Sequence, residues 1–263
     1  MFSGLRHVFL DMDDTIYHGS TLFPTTPPFL DYLKRHGIGH TFLSNNSSYS
    51  TVEYVARLQG LGIAARPEEF YISTDYAIDW LSKQYPAPRR IFLLGMASIR
   101  STFEAAGFAI DEARPEIVVI AFDRSLTYEK LCRAAWHLRC GVPGIATHPD
   151  CFCPTDQPTW LPDCGSITRC LETATGITVR VLGKPDPDML RLAAEQHGLR
   201  PGQTLMVGDR LGTDIRMGRD AGAHTAWIIA PDSEWGDCSG IVPECRIQNL
   251  GELQQHMEKE LGK

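Results

Sequence analysis

The chain has 263 residues, 43% hydrophobic and 22% charged, with a formal net charge of −7. That length and apolar content allow a sizeable buried core, as one large α/β domain or two smaller ones, and exclude a disordered chain. The acidic balance argues against a nucleic-acid partner, whose phosphates need clustered Lys and Arg, and no stretch approaches the ~20 apolar residues that span a bilayer. The first ten residues carry one Arg and a short apolar run that meets acid at once, unlike a signal peptide, so the expectation is a soluble, cytoplasmic protein.

Val8, Phe9 and Leu10 read as a strand buried on both faces, followed by Asp11, Met12, Asp13, Asp14 and Thr15. In extended backbone residues i and i+2 project to one side, so Asp11 and Asp13 converge while Met12 points away. Such a pair is either an acidic strand exit or a device to hold a divalent cation, or to divide work between a nucleophile and a general acid. Downstream, Pro24–Pro28 open a helix that Gly37 stops, and His40–Ser44 read as a second strand. Thr51 caps a helix with Val52, Val55 and Leu58 on one face, and a third strand at Phe70–Ser73 precedes a helix through Ala77, Trp80 and Leu81.

Tyr85-Pro86-Ala87-Pro88 interrupts this pattern and reads as a linker. A second βα series follows: strands at Ile91–Leu94, Ile117–Ala121 and Gly144–Thr147, with helices at Ile99–Ala106, Tyr128–Leu138 and Ser166–Ala174. Between the last strand and helix, His148–Gly165 reads as a long loop, of the kind that usually carries function. The first pattern resumes at Val179–Leu182, then a helix at Pro187–Glu195, a strongly apolar strand at Leu205–Val207, another at Ala226–Ile229, and a final helix at Leu250–Glu260. Alternating strands and helices predict an α/β fold with a Rossmann-like, doubly wound parallel sheet. A smaller α/β domain is inserted: 1–84 and 183–263 form the core, 85–182 the insert.

If the core strands share one parallel sheet, polar groups gather at its carboxyl edge, where such sheets bind ligands. They are Asp11 and Asp13; Ser44, Asn45 and Asn46; Lys184 in Gly-Lys-Pro near Val181; and Asp209 and Asp214 in GDRLGTD. Singly each has a bland reading as turn residue, surface lysine or helix N-terminus. Jointly, carboxylates, short polar groups and one cation suit Mg²⁺ and a phosphoryl group, which needs positioning and neutralised charge.

The order DMDDT (11–15), LSNN (43–46), GKPDP (183–187) and GDRLGTD (208–214) resembles the four motifs of the haloacid dehalogenase superfamily of aspartyl phosphatases. The insert is similar to the cap of its type IIA, 4-nitrophenylphosphatase-like branch, through FDRSLTYEKL (122–131), IATHPD (145–150) and GSI (165–167). The resemblance implies a Mg²⁺-dependent hydrolase of small phosphorylated metabolites, such as sugar or glycerol phosphates, working through a phosphoaspartate. It implies Asp11 as nucleophile and Asp13 as general acid, then base. Ser44, with Asn45 beside it, and Lys184 would hold the phosphate. The metal would lie on Asp11, the Asp13 carbonyl and Asp209, with Asp214 orienting a metal-bound water. Substrate choice is expected in the insert, with Asp123, Arg124, His148 and Asp150 as candidates, and relatives are often homodimers through it. The family commonly has Gly where this chain has Asp14, and Asp is among the few residues that tolerate a positive φ, so the turn is expected to survive.

A phosphotransferase or mutase on the same core is the alternative, and a receiver-like phosphoacceptor domain the less favoured one, since such domains lack a large insert. An EF-hand fails for want of its later Gly and Glu, and a P-loop fails because Pro185 follows Lys184. Eight cysteines in a cytoplasmic protein read as reduced thiols. His148, Cys151, Cys153 and Cys164 have ligand chemistry but lack paired C-x-x-C spacing, and read as ordinary buried or loop residues.

Overall fold

The computed structural model of the chain describes residues 2–85, 89–154, 159–229 and 238–261. Residues 86–88 of the expected linker and 155–158 of the expected loop therefore lie outside the described residues. The chain divides into two compact units: Met1–Ser44 with Val55–Tyr71 and Lys184–Lys263, and Asn45–Tyr54 with Ile72–Gly183.

The first unit is built on a six-stranded sheet. Its order is Cys245–Ile247, His224–Ile228, Thr204–Gly208, His7–Leu10, Gly39–Ser44, Phe70–Ile72. The apolar run Val8–Leu10 sits in the middle, fully buried and paired in parallel on both sides: Leu10 faces Val207 on one neighbour and Phe42 on the other. Strands buried on both faces are what a parallel sheet covered by helices demands of its sequence. From His7–Leu10 the chain winds outward in one direction through Gly39–Ser44 and in the other through Thr204–Gly208. This is a doubly wound, Rossmann-like α/β core whose switch point lies at the carboxyl end of the first strand. The helix Thr26–Arg35 packs on Leu250–Leu261, and Pro187–Gln196 packs on Arg216–Ala221. Gly218 permits close approach of the last of these, since a Cβ there would lie 2.8 Å from Met206 Cβ and from Thr225 Cγ2.

The second unit holds a five-stranded parallel sheet in the order Arg180–Val181, Gly144–Ala146, Ile117–Ile120, Arg90–Leu94, Ala109–Ile110. Val118, Ile120, Phe92 and Leu94 from the sheet join Ala134 and Leu138 of helix Tyr128–Arg139 and Ile167 and Leu171 of helix Cys164–Thr175 in one apolar cluster.

Several elements differ from the sequence expectation. The strand leading to Lys184 is the two-residue Arg180–Val181, and it pairs with Gly144–Ala146 in the second sheet, so Lys184 does not arrive from a core strand. The loop His148–Gly165 contains an antiparallel ribbon, Phe152–Pro154 against Trp160–Pro162, with the Phe152 and Trp160 rings stacked at 4.5 Å. The helix at Thr51 is capped one residue earlier: the Ser50 backbone N–H donates to Glu53 Oε2 at 2.7 Å and Ser50 Oγ accepts from the Glu53 N–H. The edge strand Cys245–Ile247 and the hairpin Tyr17–His18/Thr21–Leu22 are too short to leave a periodic signal. No disulfide joins the described cysteines. Among the described residues no helix is long and apolar enough to cross a membrane.

Candidate active site

In the first unit, three carboxyl strand ends meet the chain that carries Lys184. His7–Leu10 delivers Asp11, buried at the sheet edge, with its N–H donating to the Val207 carbonyl at 2.9 Å. Gly39–Ser44 ends in a buried Ser44. Thr204–Gly208 ends beside Asp209, whose carbonyl accepts from Trp227 Nε1 at 2.7 Å. Lys184 is buried, its ammonium donating to Asp11 Oδ1 and lying 2.7 Å from Asp214 Oδ1. Oxygens of Asp11, Asp209 and Asp214 all lie within 4.8 Å of one another.

The local backbone explains the convergence. After Gly208 the chain makes a π-helical turn, Leu211–Ile215, which swings Asp214 back toward the strand end, where its Oδ2 accepts from the Arg210 N–H at 3.1 Å. A Cβ on residue 208 would lie 2.4 Å from that same Oδ2, so only Gly leaves room for the carboxylate. This cradle was not read from the sequence; the signal was the Gly directly before Asp209. Asp14 takes φ +60°, so the turn survives the absence of Gly; its N–H donates to the Tyr17 carbonyl at 2.8 Å and its carboxylate pairs with His18 at 2.5 Å.

Crowding several acids raises their pKa values. Burial, then the Asp11 charge, pushes Asp214 up to about 6 against the pull of Lys184, and the same two causes raise Asp209 well above the usual carboxylate range. Asp13 keeps solvent access at the surface, yet the protein around it and then Asp11 raise it to about 6, opposed by Arg57. Because that side chain stays accessible, the Asp11 charge is the more durable part of the push. Arg57, another residue the sequence reading passed over, is fixed by donating to the Gly19 carbonyl at 2.7 Å and by stacking over Tyr17. Burial alone would lower the pKa of Lys184, but Asp11 and Asp214 outweigh it and the net shift is upward.

Three buried carboxylates with oxygen donors turned inward suit a hard divalent cation, which prefers carboxylate and water oxygens. One atom argues the fit: Asp209 Oδ1 is buried with no hydrogen-bond partner among the described residues, a costly state for a carboxylate oxygen unless a cation satisfies it.

The remaining sequence candidates lie in the second unit. Asp123 is enclosed, its carboxylate accepting from Ser125 N–H at 2.8 Å, Ser125 Oγ at 2.7 Å and Lys130 Nζ at 2.7 Å. Arg124 is exposed and donates to the Tyr49 hydroxyl at 2.9 Å. His148 is fully buried, with ring nitrogens 3.6 Å from Asp150 and 3.5 Å from Asp163. Asn45 donates its carboxamide to Asp150 at 3.2 and 3.3 Å.

Comparison with known proteins agrees with this layout. A family model described as haloacid dehalogenase-like hydrolase matches residues 8–109, and a second, HAD-hydrolase-like model matches residues 181–230. The chain is 32% identical over 253 residues to the acid sugar phosphatase of Staphylococcus aureus, covering 95% of this chain and 97% of that protein. Among solved structures, the 4-nitrophenylphosphatase of Thermotoga maritima superposes with a TM-score of 0.90 at 35% identity, covering 97% of this chain and 98% of that one. NagD of E. coli K-12 gives 0.85 at 25% identity, covering 94% and 98%. The chain belongs to the haloacid dehalogenase-like hydrolases, in their 4-nitrophenylphosphatase-like branch, and is a phosphatase.

Proposed function

We propose that this phosphatase hydrolyses small phosphomonoesters, sugar phosphates foremost, with Mg²⁺ and through a phosphoaspartate on Asp11. The observation that carries the reading is Asp11 held between the Lys184 ammonium and the carboxylates of Asp209 and Asp214. The Asp11 carboxylate attacks phosphorus and forms the acyl phosphate as the ester oxygen leaves. Asp13, with a pKa of about 6, has a useful fraction protonated near neutrality and gives its proton to that oxygen. The resulting Asp13 carboxylate takes a proton from water, which attacks the acyl phosphate, releasing phosphate and regenerating Asp11. Ser44, with Asn45 beside it, and Lys184 hold the phosphoryl oxygens.

Asp11, the Asp13 carbonyl and Asp209 would hold the metal, with Asp214 positioned for one of its waters. Mg²⁺ bound there would neutralise phosphate charge and reduce repulsion from the nucleophile. We assign substrate selection to the second unit. Arg124 is the exposed candidate there; the Asp150 carboxylate is engaged by Asn45, and Asp123 and His148 are enclosed supports. A cytoplasmic location, a core of 1–84 and 183–263 with 85–182 as cap, and a homodimer through the cap complete the proposal. The similarity to acid sugar phosphatase and 4-nitrophenylphosphatase favours phosphate release over transfer.

The test is Asp11→Asn, assayed for phosphate release over a panel of sugar, glycerol and nitrophenyl phosphates. Loss of turnover on every substrate, with unchanged circular dichroism, is the expected result; retained turnover overturns the mechanism. A rearranged phosphosugar in place of free phosphate would favour the mutase reading.

A further inference from the structure

Two of the residues assigned to phosphate, Ser44 and Lys184, are each one peptide bond from the second unit, through Asn45 and Gly183. Inside that unit Asn45 and Gly183 lie together. A Cβ on Gly183 would sit 2.8 Å from Asn45 Oδ1, 2.7 Å from His148 Cβ and 2.7 Å from the Thr147 carbonyl. Gly183 also takes φ +77°, so its position is closed to other residues by space and by backbone alike. Asn45 is held at both ends: its carboxamide donates to both Asp150 oxygens, and its carbonyl accepts from Ser73 Oγ. The Asp150 carbonyl accepts from the Gly165 N–H at 2.8 Å, and its carboxylate lies 3.6 Å from a ring nitrogen of buried His148, whose other ring nitrogen lies 3.5 Å from Asp163. Asp163 caps the helix Cys164–Thr175 by accepting from the Cys164 N–H. The contacts thus run from the first turn of that helix, through Asp150, to Asn45, which lies beside Gly183.

We infer that Asp150, anchored through its backbone to the helix that begins at Cys164, is a positioning residue for phosphate binding: it acts through Asn45, and with Gly183 fixes the backbone that presents Ser44 and Lys184, and does not touch substrate. This rests on the function proposed above. The physical ground is that reacting groups tolerate little displacement; a shift of about 1 Å can cost a hundredfold in rate. His148 cannot serve as a direct substrate contact while its side chain has no exposure.

The experiment compares Asp150→Ala, Asn45→Ala, their double variant and Asp150→Asn on a panel of phosphomonoesters, with inorganic phosphate as a competitive probe. Asp150→Ala is expected to lower kcat about 10–100-fold by the same factor on every substrate and to raise the inhibition constant of phosphate. Asn45→Ala should reproduce this, and the double variant should lose no more than either single one. Asp150→Asn keeps an acceptor oxygen for Asn45 and should recover most of the rate. If Asp150→Ala does not fold, the Asn45→Ala and Asp150→Asn readouts decide by the same criteria. A loss confined to particular substrates would make Asp150 a substrate contact and overturn the inference; so would additive losses, or an unchanged kcat. Asp11→Asn run in parallel separates the failures. If it is inactive while Asp150→Ala is normal, only this inference falls; if it stays active, the proposed mechanism falls too.

Discussion

The strand His7–Leu10 buries polar groups at both its ends, and the two ends follow opposite rules. At the amino end His7 is neutral: burial, then the neighbouring His197 and His40, lower its pKa to about 3. Its needs are met, with Nε2 2.9 Å from Thr41 Oγ1, which also lies 3.1 Å from His197 Nε2, and with the His197 ring stacked at 4.2 Å. At the carboxyl end Asp11, Asp209 and Asp214 crowd around one lysine, raise two of one another's pKa values and leave an oxygen without a hydrogen-bond partner among the described residues. Buried polar groups that stabilise a fold are paired; a buried group left in excess marks the place where an external partner is expected. One strand therefore displays a structural solution and a functional one about four residues apart.

The largest effect that would sharpen this contrast is on chemistry. Asp13→Asn removes the proposed proton donor and base without altering the Asp11–Lys184 contact. The expected fall in kcat is about 10²–10⁴-fold, measured on a substrate with a poor leaving group, with a smaller fall for nitrophenyl phosphate, whose leaving group needs little protonation. Equal losses on both substrates would remove Asp13 from the acid role.

Next in size is a variant that should separate activity from stability. Asp209→Asn removes a charge from the crowded end, so metal-free protein should gain stability, on the order of 1 kcal/mol or about 2–4 °C in Tm. Activity should be lost at the same time, and added Mg²⁺, which should raise the Tm of the wild type by mass action, should no longer do so. A lower metal-free Tm in this variant would show that the carboxyl end is as internally satisfied as the amino end, and the comparison would fail.

The two ends should also answer pH with opposite signs. A histidine whose folded pKa lies below its unfolded value contributes stability that is complete above pH 6.5 and is lost as pH falls toward 3. At 1.36 kcal/mol per unit, the His7 share is on the order of 4 kcal/mol by pH 3. A carboxyl raised in the fold does the reverse: for Asp214, at about 6, metal-free stability declines as pH rises from about 4 through 6. Urea unfolding of His7→Gln from pH 7 to 4 should show a shallower acid loss than the wild type; parallel curves would remove His7 as a determinant.

Legibility in the sequence divides along similar lines. The buried run Val8–Leu10 and the acids after it were readable because period-2 geometry and a parallel sheet leave one interpretation of apolar residues followed by Asp-x-Asp. Asp209 followed from the same logic after Leu205–Val207. The route to Lys184 is hidden in the sequence: a two-residue strand carries no information about which sheet it joins, and Arg180–Val181 belongs to the second. The turn that brings Asp214 to Lys184 was invisible because π-helical geometry has no sequence period, and only Gly208 betrays the close approach. The tie from Asn45 to Asp150 spans 105 residues and depends wholly on tertiary packing.

The smallest effect concerns Asp14, whose backbone takes the left-handed conformation that favours Gly. At φ +60° a non-glycine residue carries a strain of roughly 1 kcal/mol, less for Asp, whose short side chain tolerates this region. Replacing it by Gly relieves that strain. The change also frees the unfolded chain, which costs about 0.4–1 kcal/mol, and removes the pair with His18, which is solvent-exposed and contributes little. These contributions nearly cancel, so Asp14→Gly should shift Tm by no more than a few degrees. Its consequence should appear in the site instead: Asp14 adds to the negative field that raises Asp13 and Asp209. Its removal should lower Asp13, which must be protonated to release the leaving oxygen, so the alkaline limb of the kcat/KM profile should move to lower pH, with little change in kcat at the optimum. An unmoved profile would mean that His18, at 2.5 Å, already cancels the Asp14 charge and that the departure from Gly is purely a backbone matter.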